Sequence, residues 1–182
     1  MPPPMTAEVN LLAPDDASDE ALVDELVRIV NAAYGVGEAG LWLEGTARVG
    51  PGEIAEAIRS GGMLAATRQG RLVGCAYVRP LDEGTADLGL ISVEPDQWGS
   101  GVGGQVVRSA EELMRSRGVT TMQLELLVPK GWAHPEKDRL RSWYTRLGYR
   151  VVRSAPFDEV ASPPASQLAA PCEFLIFRKA LA

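Results

Sequence analysis

Residues 93–104 read Val93-Glu94-Pro95-Asp96-Gln97-Trp98-Gly99-Ser100-Gly101-Val102-Gly103-Gly104, and this stretch decides the fold. Before it lies an apolar run, Asp87 to Val93. After it comes the strongest amphipathic pattern of the chain, Gly101 to Arg117, in which Val102, Val106, Ala110, Leu113 and Met114 recur at helical spacing and Gly118 supplies the stop. A strand therefore enters a helix through a glycine-rich turn. Glycines in such a turn let main-chain N–H groups point outward and let a ligand approach the backbone. The helix leaves its first N–H groups unpaired and presents the positive end of its dipole. Together these features suit a phosphate or pyrophosphate; a tight turn with no ligand is the alternative. Gly99, Gly101 and Gly104 also satisfy G-x-G-x-x-G, with Glu125 near the spacing of a ribose-binding acid. A dinucleotide fold is disfavoured, because Glu94 to Trp98 separate the strand from the first glycine and Glu125 falls in mid-strand.

Working outward, Leu88 and Leu90 share one strand face while Ile91 and Val93 fall on the other. That change of phase predicts a β-bulge near Leu90-Ile91; a strand buried on both faces is the other explanation. Upstream, Met63 to Thr67 and Leu72 to Val78 flank Gln69-Gly70 as a hairpin. Pro51 opens a short helix bearing Ile54, Ala57 and Ile58, and Gly61-Gly62 closes it. Ser18 is expected to cap a helix carrying Leu22, Leu26, Ile29, Val30 and Ala33. Tyr34 to Val49, with Gly35, Gly37, Gly40 and Gly45, is expected to be a loop containing Trp42, and Glu8 to Leu12 a first strand. Downstream, Thr121 to Val128 alternates as a strand. Pro135 opens a helix with Leu140, Trp143, Tyr144 and Leu147 on one face, stopped by Gly148. Tyr149 to Arg153 and Phe174 to Phe177 are final strands, joined by a long loop from Ser154 to Pro171. The pattern is one α/β layered domain over residues 7–180, preceded by a loose tail over residues 1–6.

Composition agrees with one globular domain of 182 residues, 46% apolar and 23% charged. Eighteen basic against 24 acidic residues leave a net charge of −6, which disfavours nucleic acid as a partner. Cys75, Cys172 and the single His134 cannot assemble a zinc cluster at the usual spacings, so no metal is expected. The start, Met1-Pro2-Pro3-Pro4-Met5, has no secretory pattern, and no apolar run nears the ~20 residues of a membrane helix. A cytoplasmic protein with reduced thiols and no membrane partner is the expectation.

Residues 93–104 also resemble motif A of the GCN5-related N-acetyltransferases (GNAT), V-x-P-x-x-[Q/R]-G-x-G-[I/V]-G. Arg139 to Tyr149, R-L-R-S-W-Y-T-R-L-G-Y, resembles that family's motif B, and the spacing between the two agrees. Trp98 stands where the family usually has Gln or Arg, and Lys137 where many members place an Asn that contacts pantetheine. The resemblance implies a central mixed, largely antiparallel sheet of about seven strands with about four flanking helices and a splayed, bulged central strand. It also implies acetyl-CoA as acyl donor and a small-molecule or peptide amine as acceptor; a homodimer is compatible with it.

The resemblance further implies residue roles. The turn Trp98, Gly99, Ser100, Gly101, Val102, Gly103 and Gly104 would hold the pyrophosphate, largely through backbone amides. Ile91, Ser92 and Val93 would pair with the pantetheine amides as an added strand, with Lys137 and Tyr144 beside them. Tyr144 would protonate the leaving thiolate, with an alkaline decline in activity near the ordinary phenol pKa of ~10. Asp87 matches a position where some members place a general base; a solvated acid at a strand start is the alternative. By the same analogy Tyr34, Glu38, Trp42 and Glu44 lie over the acceptor, with Phe157, Asp158 and Glu159 on its other side. The expected function is N-acetyl transfer; a non-catalytic acyl-CoA-binding module on the same fold is the alternative.

Overall fold

The computed structural model describes residues 6–160 and 165–181. The tail expected over residues 1–6 lies, apart from Thr6, outside the described residues, as do residues 161–164 of the expected 154–171 loop. Seven strands and five α-helices follow one another as β1 (Glu8–Leu11), α1 (Glu20–Gly37), α2 (Pro51–Arg59), β2 (Met63–Arg68), β3 (Arg71–Pro80), β4 (Thr85–Val93), α3 (Val102–Ser116), β5 (Thr121–Pro129), α4 (Pro135–Arg146), β6 (Arg150–Pro156), α5 (Phe157–Val160) and β7 (Cys172–Ala180). They form one sheet in the order β1-β2-β3-β4-β5-β7-β6. Every neighbouring pair is antiparallel except β4 and β5.

Side-chain parity divides the core into two layers. Leu64, Ala76, Val78, Leu88, Met122 and Leu124 pack under Val106, Ala110 and Met114 of α3 and Tyr144 of α4. Met63 and Cys75, pointing the other way, pack under Leu26, Val30, Ile54 and Ile58 of α1 and α2. A third cluster, Leu41, Leu127, Phe157 and Phe174, closes the β5–β7 end.

The feature that positions the site is the seam between β4 and β5. The two strands pair only from Thr85↔Thr121 to Asp87↔Gln123, and beyond that they diverge. On its other side β4 has Tyr77 opposite Gly89 and Cys75 opposite Ser92, so Ala76 faces two residues, Leu90 and Ile91. Leu90 adopts φ +50, the left-handed region. This is the bulge expected at Leu90-Ile91. Its phase differs from the sequence expectation: Leu88 packs with Ile91 and Val93, and Leu90 alone turns to the α1 layer.

Three local expectations are corrected. Asp19, not Ser18, caps α1, its carboxylate accepting from the Leu22 N–H at 3.1 Å, because Pro14–Ser18 forms a 3₁₀ turn that shifts the start by one residue. Tyr34 lies on the last turns of α1, which continues through Gly35 and Gly37. Ser154 to Pro156 extend β6, and Phe157–Val160 forms the fifth helix, so the expected 154–171 loop is shorter. Pro156 is the last residue of β6, and β6 is an edge strand, the place in a sheet where proline is tolerated. Among the described residues no helix is long and apolar enough to cross a membrane.

Candidate active site

A cavity of about 490 Å³ runs through the sheet where β4 and β5 part. Ile91 and Val93 line it from β4, and Glu125, Leu126 and Leu127 from β5. Tyr34 and Glu38 enter from the α1 side, whereas Lys137, Trp143 and Tyr144 enter from α4. Two helical layers thus meet at one opening.

One end of the cavity is made of backbone. Gly99 and Gly101 hold φ +80 and +90, conformations that strain an L side chain, and a Cβ on either would meet no atom within 4 Å. Gly101 is the N-cap of α3 and makes no side-chain cap bond, which leaves the first N–H groups of the helix without a capping side chain where Gly101, Gly103 and Gly104 line the cavity. Gly103 has another reason to be small: a Cβ there would come within 3.2 Å of the Trp143 ring. Trp98 does not replace a phosphate-binding side chain; its indole N–H donates to the Val93 carbonyl at 2.8 Å and ties the turn to β4. Of the other residues expected here, Ser92 is buried and donates from Oγ to the Leu90 carbonyl at 3.0 Å, fixing the bulge. Ser100 donates to the Gln97 carbonyl, and Val102 is fully buried in the α3 layer; none of these three side chains lines the cavity.

Near the centre Tyr144 is buried against Phe177 at 5.7 Å and Tyr149 at 6.4 Å between ring centroids, yet it reaches the cavity. Burial, then the neighbouring Tyr34 and Glu38, raises its pKa far above the ordinary phenol value. The alkaline limb expected near ~10 therefore does not belong to Tyr144. Tyr34 is raised likewise, chiefly by burial. Asp87 is buried just where β4 leaves β5, one oxygen 3.1 Å from Arg79 Nε. Its carboxyl is raised to about 7, first by burial and then by the charge of the adjacent Glu125, with Arg79 opposing. Asp87 does not line the cavity, whereas its neighbour Glu125 does.

The other end is made of side chains. Glu38, at the C-cap of α1, accepts from Lys137 Nζ at 3.2 Å and from Trp42 Nε1 at 2.5 Å, and its other close cation is Arg48, with Nε at 3.2 Å. The Arg48 guanidinium lies 5.1 Å from the Tyr34 ring centre and 5.3 Å from that of Trp42. Burial lowers the Lys137 pKa and Glu38 opposes that shift. Trp42 lines a second cavity of about 190 Å³, which shares Tyr34, Glu38 and Arg48 with the first. It also pairs with Leu168 across the loops and sits edge-on to Phe157. Glu44, Asp158 and Glu159 are exposed and line neither cavity. His134 is the buried N-cap of α4, its Nε2 2.9 Å from the Ala39 carbonyl.

Sequence reasoning placed neither Arg48 nor Glu125 in this site. Glu125 had a signal, a carboxylate in the middle of an alternating strand. Arg48 had none, because its partner lies across a loop.

Among curated protein sequences none matches this chain. Solved structures share its fold at low identity. The ribosomal-protein-S18-alanine N-acetyltransferase from Escherichia coli is 16% identical with a TM-score of 0.67, over 97% of this chain and 94% of that one. An aminoglycoside 6'-N-acetyltransferase complexed with coenzyme A is 17% identical with a TM-score of 0.71, over 96% and 97%. The PaiA N-acetyltransferase from Thermoplasma acidophilum, in complex with coenzyme A, is 16% identical with a TM-score of 0.67, over 97% and 99%. The family model described as "Acetyltransferase (GNAT) family" matches residues 24–149, and this chain belongs to that family.

Proposed function

We propose that the chain is an N-acetyltransferase that moves the acetyl group of acetyl-CoA directly onto a primary amine. The observation that carries this is the opening between β4 and β5, into which Tyr144 and Glu125 converge from different elements. The donor end fits CoA: the N–H groups ahead of α3 suit the pyrophosphate, and the unpaired edge of Ile91–Val93 suits the pantetheine amides. Acetyl-CoA supplies the activated acyl group; the residues supply position and protons.

An ammonium must lose a proton before it can attack, and Glu125, backed by Asp87, is placed to take it. The neutral nitrogen then bonds to the thioester carbonyl carbon as charge grows on the carbonyl oxygen, which a β4 backbone N–H can meet. Collapse breaks the C–S bond. Of the two protons the ammonium gives up, one is matched by the proton delivered to the CoA thiolate and the other leaves to solvent. Tyr144, held neutral by burial, donates toward the departing sulfur and is reprotonated as it does so. Two buried free cysteines, Cys75 and Cys172, suit a reducing cytoplasm. Release of CoA thiol from acetyl-CoA across a panel of amines is the test. Tight acetyl-CoA binding with no turnover on any amine would make the chain a binding module instead.

A further inference from the structure

We infer that the acceptor is a small amine that also carries a carboxylate, held by Lys137 and Arg48 while its amine faces Glu125. This rests on the amine-acetylation proposal above and names its substrate class. The first observation is a charge count. Glu38 is one buried carboxylate between two cations, Lys137 and Arg48, so the wall formed by these three carries one excess positive charge. Such an excess in a low-dielectric wall favours an anionic visitor. One carboxylate neutralises it, whereas a phosphate monoester of charge about −1.5 to −2 overshoots.

The second observation concerns donors. The Lys137 side chain is 4% exposed and lines the cavity, yet its ammonium has three N–H donors and, among the described residues, one acceptor, Glu38. The remaining donors have nowhere to go but a ligand or water. The third is polarity along the opening. Glu125 lines the cavity from β5, and the cationic pair lines it from α4 and the segment after α1, so charges of opposite sign enter from different walls. An ammonium at one pole and a carboxylate at the other is the charge pattern of an amino acid.

Size follows from the loops. The cavity of about 190 Å³ lined by Trp42 and Leu43 adjoins the main one at Tyr34, Glu38 and Arg48. There the Leu43 N–H donates to the Gln167 carbonyl and the Ala169 N–H to the Leu41 carbonyl, both at 2.8 Å. These cross-links tie the loop after α1 to the segment before β7 and leave room for a small molecule.

The experiment compares amino acids of increasing length with their primary amides and with alkylamines of equal length, by thiol release and by calorimetry on the CoA-bound protein. The acids should exceed the amides in kcat/KM by about 30-fold or more, as expected for one buried charge pair. Lys137→Gln should raise KM for the acid by a similar factor with less change in kcat, bringing the acid-to-amide ratio near one. Arg48→Gln should do the same if Lys137→Gln does not fold. Equal turnover of acids and amides would overturn the inference and leave N-acetylation standing. A loss of CoA affinity in Lys137→Gln matching the loss for the acid would assign Lys137 to pantetheine and also overturn it. If no amine is acetylated, the function fails first. Calorimetry then decides the inference separately: Lys137-dependent heat from acids and not from amides supports it, and no such difference overturns it.

Discussion

The two ends of one cavity are built from different materials. The end we propose for the donor consists of main chain: the N–H groups ahead of α3, two glycines with positive φ and a strand edge left open by a bulge. The end we propose for the acceptor consists of long side chains, Glu38, Arg48 and Lys137, that meet across about a hundred residues of sequence. Backbone groups fit any ligand bearing the same pyrophosphate and amides. Side-chain charges fit one acceptor and are replaceable singly. The difference teaches where a common donor ends and an individual substrate begins.

Breaking the chemistry between the two ends should have the largest effect. Tyr144→Phe keeps the ring and its contacts with Tyr149 and Phe177, so melting temperature and acetyl-CoA affinity should hold. Turnover should fall by ~10²–10⁴, the span for a positioned general acid. Because burial raises this phenol, the wild type should show no alkaline limb that the variant lacks. Wild-type turnover in a folded variant would make Tyr144 a packing residue.

A donor-end lesion should come next. Gly101→Val forces a branched side chain into φ +90 and toward the open space ahead of α3. Losing two charge-assisted hydrogen bonds of ~1.5–3 kcal/mol each would weaken acetyl-CoA by ~10²-fold or more. Acetyl-CoA should then no longer raise the melting temperature. Unchanged affinity in a folded variant would move the pyrophosphate elsewhere.

Such backbone features are the ones a sequence announces. Glycines before an amphipathic helix, and a strand whose apolar phase slips, are local signals, and both lie at the donor end. The slip was legible at Leu90-Ile91, although which of Leu88 and Leu90 changes face depends on the pairing of Ala76. The acceptor end was legible only through analogy, and incompletely. Gly35 and Gly37 each cost a helix ~1 kcal/mol relative to Ala, which predicts a loop. Burial of Leu26, Ile29, Val30 and Ala33 carries α1 past that cost and sets Tyr34 and Glu38 on rigid structure. Arg48 gains meaning only from Glu38, Tyr34 and Trp42 around it. Asp87 and Glu125 are separated by a helix in sequence and brought together by the last rung of the parallel pair.

That carboxylate pair gives a smaller, graded prediction. With Asp87 raised to about 7 by burial and by Glu125, kcat/KM should rise through that region as pH increases. The slope should be no more than about tenfold per pH unit. Glu125→Gln removes both the cavity-facing carboxylate and the charge that raises Asp87, so the limb should flatten or move to lower pH. A profile identical in wild type and variant would exclude the pair as proton acceptor.

The smallest effect is on stability, and it tests whether the carboxylate pair between the two ends is held at the fold's expense. Asp87 has a folded pKa near 7, above the ~3.9 of an unfolded aspartate, so the folded state prefers it protonated. By linkage its contribution is fully present below the unfolded value and is lost as pH rises through about 7. Asp87→Asn keeps the shape and removes the titration. Its melting temperature relative to wild type should therefore be higher at pH 8 than at pH 5. The gap should be at least about 2–4 °C, which ~1 kcal/mol represents in a chain of this size. The Arg79 contact at 3.1 Å limits the gain, because the variant gives up that ion pair, and Arg79→Gln in the same background measures how much. A gap of the opposite sign would mean that Asp87 is ionised and stabilising in the folded protein. The carboxylate pair would then stand between the two ends without a stability cost, and the contrast between those ends would be one of chemistry alone.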